Sequence, residues 1–176
     1  SGEQGYEIYL CDGKLGNELW EIIMKAGKEF NIAPAAPSQI SRIESGMLSY
    51  GSDISLNENP YDVNLGKFVD LDKKADFLSK ISLDSIKQQG NTRELRGVEI
   101  LGKNFNGYIA DHLPIYVEDE IVGKITSSVF SPRLNKTIGF ALLNTKKNLI
   151  SKKIIIKIDD ELIEVKFCKL PFLRNK

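Results

Sequence analysis

The sequence predicts an α+β fold, helical in its first half and all-β in its second. Three observations carry that reading. Apolar residues recur at helical spacing in three stretches before residue 90. They alternate, or run continuously, at strand length in six stretches after it. Between the two regimes lies Gln88-Gln89-Gly90-Asn91-Thr92, which is polar and flexible. Domains are therefore expected at residues 1–90 and 91–176.

The elements follow in order. Gly2 and Gly5 suit a tight turn. Tyr6, Ile8 and Leu10 then alternate with Glu7 and Tyr9, the period of a strand. That period points Tyr6, Ile8 and Leu10 at a core and leaves Glu7 and Tyr9 on the opposite face, which is either a grip for a polar ligand or merely the wet side. Asp12-Gly13 turns the chain into a helix carrying Leu15, Leu19, Ile22, Ile23 and Ala26, stopped at Gly27. Trp20 lies beside that stripe and reads as packing. Pro34 and Pro37 exclude a helix from the connector. Ser38 then caps a short helix over residues 39–45, with Ile40 and Ile43 apolar and with Arg42 and Glu44 directed away from them. A third helix is expected from Lys74 or Asp76 to Gln89.

Strands are expected at residues 95–101, 113–117, 121–130, 137–143, 153–158 and 162–169. Glu118-Asp119-Glu120 and Asp159-Asp160-Glu161 are the short links of hairpins. Strands at this spacing make a small antiparallel barrel or sandwich. Lys152, Lys153, Lys157 and Lys166 fit its solvated faces, and no internal repeat or low-complexity segment interrupts it.

Composition narrows the function classes. Lys plus Arg equals Asp plus Glu at 24 each over 176 residues, a balance that argues against a nucleic-acid partner. No apolar run approaches the roughly 20 residues of a membrane span. Cys11 and Cys168 lie far apart with no CxxC partner, which reads as two reduced thiols in a cytoplasmic protein. His112, the single histidine, has no second ligand at metal spacing, so no metal site is expected. Nothing supports a Ser-His-Asp triad built on it. The pairs Ser127-Ser128 and Ser131-Pro132 shape a strand end and a turn.

Six stretches, in order, resemble one family. SGEQGYEIYL resembles the Gly-Glu-x-Gly-aromatic-Glu segment of glycine-cleavage T-proteins, the folate-dependent aminomethyltransferases. RIESGMLSYGSDI is similar to their Arg-Leu-Glu-Ala-Gly-x-x-x-Tyr-Gly-x-Asp/Glu segment, and NPYDVNLGKFV to their Pro-x-Glu-Ala-Gly-Leu-Gly-Trp-x-Val. ADFLSK resembles Asp-Phe-Ile-Gly-Arg, GKITSSVFSPRLNKTIGFALL the Gly-x-x-Thr-Ser-Gly-x-x-Ser-Pro of the terminal barrel, and LPFLRN the closing Pro-Phe-Val-Arg.

The resemblance implies the end of a ferredoxin-like α+β domain followed by a small antiparallel β-barrel. It implies tetrahydrofolate as the cofactor, a small amine-type one-carbon donor, and a lipoyl carrier protein as a partner. It assigns the folate-contacting acid to Glu7 and the second contact to Arg42. Tyr9 would line the same pocket, and Arg174 matches a position near the folate's acidic tail. The chemistry suits these roles. A carboxylate can accept two adjacent N–H groups of a pterin edge, and an arginine fork can meet ring acceptors or a carboxylate. Without the resemblance, Arg42 is equally well explained by an ion pair with Glu44 or Asp53, Glu44 by helix support, and Asp53 and Asp62 as loop and cap residues.

In this family the activating aspartate lies in the N-terminal half, and no residue here aligns with it. The resemblance therefore implies a C-terminal fragment with no catalytic residue of its own, inactive alone. Asp62-Val63-Asn64, Lys67-Phe68 and Lys80 depart from the family pattern. They resemble offshoots that demethylate dimethylsulfoniopropionate, dimethylglycine or sarcosine. A non-catalytic folate-binding assembly factor is the further alternative, although its Lys-Gly-Cys-Tyr-x-Gly-Gln run is missing.

Overall fold

The computed structural model describes residues 5–102, 108–109, 112–146, 153–158 and 160–173. It divides into two compact units, Ser1–Ser38 and Gln39–Lys176. The composition change near residue 90 marks where the strands begin, whereas the compact units divide earlier, after Ser38.

In the first unit the Asp12 carboxylate accepts a hydrogen bond from the Lys14 amide at 3.0 Å and starts a 3-10 turn, Gly13–Leu15. Helix α1, Gly16–Ala26, follows and ends where the Gly27 amide donates to the Ile23 carbonyl at 2.9 Å. A second 3-10 turn, Lys28–Phe30, stops at Asn31, whose φ of 55° cannot continue a helix. The expected strand over Tyr6–Leu10 does not form: these residues lie in no sheet, with Tyr6 93% and Ile8 63% exposed. An extended segment becomes a strand only when a neighbour satisfies its backbone and covers one face. Among the described residues none does. Trp20, expected to pack, is half exposed, and α1 buries no residue.

The second unit opens with α2, Gln39–Glu44, and a 3-10 turn, Gly66–Phe68. Helix α3, Lys80–Gln89, starts later than expected because Ser79 sits at φ 65°, a left-handed conformation that breaks any helix from residue 74 or 76. Seven strands follow among the described residues: β1 Arg93–Ile100, β2 Tyr108–Ile109, β3 Pro114–Val117, β4 Glu120–Ser131, β5 Lys136–Asn144, β6 Ile155–Ile158 and β7 Glu161–Cys168. All pairings between them are antiparallel, and the sheet closes in the cyclic order β4-β3-β6-β7-β1-β5, with β5 returning to β4 and β2 lying on β4. The result is a six-stranded barrel with one short added strand. Strand β2 escapes sequence detection because it holds two residues, too few to show a period.

The hairpin between β3 and β4 forms as its sequence suggests. Glu118 and Asp119 both adopt positive φ, 50° and 66°, which matches a two-residue turn to the twist of its strands. The second acidic link lies partly outside the described residues, since Asp159 is not among them; Asp160 has φ 64°. Lys153, Lys157 and Lys166 are exposed, as expected, while Lys152 lies outside the described residues.

Two apolar clusters result from one alternation. Val98, Ile100, Ile125, Ala141, Leu143 and Val165 belong to the first, which fills the barrel. On the outer wall Leu95, Val129, Ile138, Phe140 and Leu142 meet Ile43 of α2 and Val63 of the following loop. Strand β5 is thus buried on both faces. At about 1.5–3 kcal/mol per fully buried large side chain, the outer cluster is what fastens α2 and its loop to the barrel.

Candidate functional site

Helix α2 is short, and its single turn past Gln39 sends Ile43 into the outer cluster and Arg42 along the barrel wall. The Arg42 guanidinium is held at two nitrogens. Its Nε donates to Gln39 Oε1 at 2.5 Å, and its Nη1 donates to the Met47 carbonyl at 3.0 Å and to Asp53 Oδ2 at 2.8 Å. Two fixed nitrogens fix the plane of a rigid fork. The Arg42 side chain is 12% exposed and that of Asp53 is fully buried. Of the two partners open to Arg42 in the sequence, the structure selects Asp53.

Burying a carboxylate demands compensation by charge and by hydrogen bonds. Asp53 has both. Its Oδ2 accepts from Arg42 and from the Ser49 amide at 2.9 Å. Its Oδ1 accepts from Thr126 Oγ1 at 2.7 Å and Ser127 Oγ at 2.6 Å. Those hydroxyls belong to β4, so a loop acid joins α2 to the barrel.

Two further acids lie buried nearby in the chain. Glu44, expected to face away from the apolar stripe, is buried, because Ser131 Oγ donates to its Oε1 at 2.5 Å. Arg133 approaches its other oxygen at 3.6 Å. Asp62 is also buried; its Oδ2 accepts from Asn59 and, at 2.9 Å, from Arg93 Nη2. Arg93 also reaches Glu58 Oε1 at 2.9 Å and the Asn57 carbonyl. Burial by itself pushes the Glu58 carboxyl up, but hydrogen bonds from the Ser55 side chain and amide, with the charges of Arg93 and Lys124, outweigh it and leave the group below its ordinary value. Asn64 Nδ2 donates to the Leu95 carbonyl at 2.7 Å, and the Leu95 amide donates to the Asp62 carbonyl at 2.8 Å. Asp53 and Asp62 are therefore buried anchors of the barrel wall, more than the loop and cap residues the sequence suggests. The missed signal is pairing: each acid meets a hydroxyl or arginine more than 30 positions away, which no local spacing reveals.

The other expected site residues fall as follows. Tyr9 Oη donates to Glu7 Oε2 at 2.5 Å, so the structure brings these two together within the first unit. Accepting that bond favours the neutral phenol beside a carboxylate, and the Tyr9 pKa is raised from its ordinary value, chiefly by Glu7. Arg174 lies outside the described residues. His112 Nε2 donates to the Ser52 carbonyl at 2.7 Å. Ser127 and Ser131 serve Asp53 and Glu44. A separate groove of about 1150 Å³, bordered by Met47, Leu48, Val63, Phe68, Arg96 and Cys168, opens beside the start of β1.

The comparisons with known proteins agree with this architecture. The family model "GCVT N-terminal domain" matches residues 1–73, and "Glycine cleavage T-protein C-terminal barrel domain" matches residues 93–173. An aminomethyltransferase of Bacillus cytotoxicus is 31% identical over 99% of this chain and 47% of its own length. One from Bacillus mycoides is 30% identical over the same shares. The chain thus spans about half the length of the curated relatives it matches. The crystal structure of glycine cleavage system aminomethyltransferase T from Bartonella henselae matches with a TM-score of 0.66 over 75% of this chain and 37% of that one, at 20% identity, a likeness of fold.

Proposed function

The chain belongs to the glycine-cleavage T-protein family, and on that premise we propose that the whole protein is a tetrahydrofolate-dependent aminomethyltransferase. It transfers a one-carbon group from an amine-type donor, presented by a lipoyl carrier protein, to tetrahydrofolate. A cytoplasmic location is part of the same proposal; among the described residues no helix is long and apolar enough to cross a membrane. The observation that carries this reading is the alignment over 99% of the chain with an aminomethyltransferase.

Within this reading Glu7 and Arg42 contact the cofactor, with Tyr9 and Arg174 as the further contacts. The residues present suit the group. The Glu7 carboxylate is exposed and can accept paired N–H donors from a pterin edge. Tyr9 steadies that carboxylate through its hydroxyl. Arg42 offers a guanidinium whose plane is already set, so little freedom is lost when it meets a ligand acceptor. Bound tetrahydrofolate supplies the accepting nitrogen, N5. The contribution of this chain is orientation, and the acid that assists transfer lies elsewhere in the whole protein.

The departures from the family pattern give no separate support to a demethylase. Asp62 and Asn64 are both engaged in tying their loop to Arg93 and Leu95 of β1. The donor is settled by assay. Purified full-length protein is offered glycine with lipoyl carrier protein, dimethylsulfoniopropionate, dimethylglycine and sarcosine in turn, and only the first is expected to yield one-carbon folate. Titration with tetrahydrofolate tests the contact assignment: Glu7→Ala is expected to weaken binding by about 1.5–3 kcal/mol, the worth of a charge-assisted hydrogen bond. Unchanged binding would remove Glu7 from the site.

A further inference from the structure

We propose that Asp53, together with the Thr126 and Ser127 hydroxyls, forms a positioning relay that sets the orientation of Arg42 toward tetrahydrofolate. The inference rests on the cofactor role given to Arg42 above and extends it to three residues that the quoted motifs contain but to which the resemblance gives no role at the site. Asp53 cannot touch a ligand itself, because its side chain is fully buried. One of its oxygens faces Arg42, and the other is committed to β4. It can act only through the guanidinium.

The backbone of β4 explains how two adjacent hydroxyls reach one oxygen. Successive residues of a regular strand point to opposite faces. Thr126 and Ser127 nonetheless both donate to Asp53 Oδ1. The pairing of β4 with β5 shifts register between Ile125 and Ser127, a bulge that turns both side chains the same way. The facing strand is adapted to it. A Cβ on Gly139 would strike the Ser127 carbonyl and the Ser128 side chain, so only glycine lets the bulged backbone come this close. The bulge aims the hydroxyls, the hydroxyls hold Asp53, and Asp53 with the Met47 carbonyl and Gln39 holds Arg42.

A double-mutant cycle on the full-length protein tests the relay, read by tetrahydrofolate titration. Arg42→Ala is expected to weaken binding about tenfold, and Asp53→Asn by a similar factor. In the Arg42→Ala background Asp53→Asn is expected to add less than about twofold, since coupled contacts are not additive. Thr126→Val with Ser127→Ala, a milder change that keeps strand volume, is expected to weaken binding about threefold and to show the same non-additivity. The Arg42 Nε–H resonance gives a readout of orientation that does not pass through affinity: it is expected to be sharp in the parent protein and to broaden in both relay variants. Equal losses from Asp53→Asn in the two backgrounds overturn the relay. So does a hydroxyl variant that binds and resonates as the parent does, which keeps the test decisive if Asp53→Asn fails to fold. If Arg42→Ala weakens binding and Asp53→Asn does not, the relay alone falls. If Arg42→Ala binds as tightly as the parent, the cofactor role of Arg42 falls and the relay with it.

Discussion

Residues 39–173 and residues 5–38 both carry apolar periodicity, yet they use it differently. In the barrel unit the alternation of β5 is consumed on both sides, Ala141 and Leu143 inward and Ile138, Phe140 and Leu142 outward. In the first unit a helical stripe of equal clarity leaves none of residues 5–38 buried. The polar groups divide likewise. Asp53 accepts from four donors in the interior, while Glu7 meets one hydroxyl at the surface. Periodicity states which face of an element is apolar. It does not state what covers that face, and only long-range contacts supply the cover.

The comparison breaks or holds on a pair of truncations. Phe140 is fully buried and stacked 6.5 Å from Phe172. Phe140→Ala should destabilise the chain by about 3–5 kcal/mol in denaturant unfolding, a loss of apolar burial plus a cavity. Trp20 is of larger volume but half exposed, and Trp20→Ala should change stability by less than about 1 kcal/mol. Comparable losses for the two would mean that α1 has a covered face in solution.

A second pair sharpens the polar side of the comparison. Arg93 is bidentate in effect, reaching Glu58 and buried Asp62 at 2.9 Å each. Arg93→Met should remove about 1.5–3 kcal/mol of stability, because Asp62 stays buried without its cation. Arg133 also faces a buried acid, Glu44, but at 3.6 Å and with its own side chain 64% exposed. Solvent screens that pair, and Arg133→Ala should change stability by no more than about 1 kcal/mol.

How far the sequence speaks follows the same division. All six barrel strands are legible from alternation to within two residues at each end, since a half-buried strand writes its own period. The start of α3 is misread because Ser79 adopts a left-handed conformation that serine spacing does not announce. The Tyr6–Leu10 strand is misread because its period is real and no described residue pairs with it or covers it. At the site, motif resemblance singles out Glu7 and Arg42 by residue type. Asp53 is legible there as one of two partners for Arg42, but what holds Asp53 is not, because Thr126 and Ser127 converge on it only through a bulge 73 and 74 positions along the chain.

The two cysteines carry the comparison to its smallest effect. Cys11 is exposed in the first unit, whereas Cys168 ends β7 beside Gly97 and is partly buried. Burial first, then the Glu99 carboxylate, raise the Cys168 thiol from 9.0 to about 11. The thiolate is the reacting form, and each unit of pKa is a tenfold change in its fraction. At pH 8 Cys168 should therefore alkylate about 100-fold more slowly in the folded chain than in denaturant, while Cys11, already exposed, gains far less on unfolding. The same shift bears on stability with a definite sign. The folded state holds the Cys168 proton more tightly than the unfolded state, so the difference in bound protons favours folding least where the unfolded thiol has ionised. Stability should be unaffected by this group below pH 9 and should decline as pH rises from about 9 to 11. Solvent at a partly exposed site limits the decline to about 1 kcal/mol. Cys168→Ser should remove that decline without flattening the rest of the pH profile, and a profile unchanged by the substitution would place the alkaline loss in other groups.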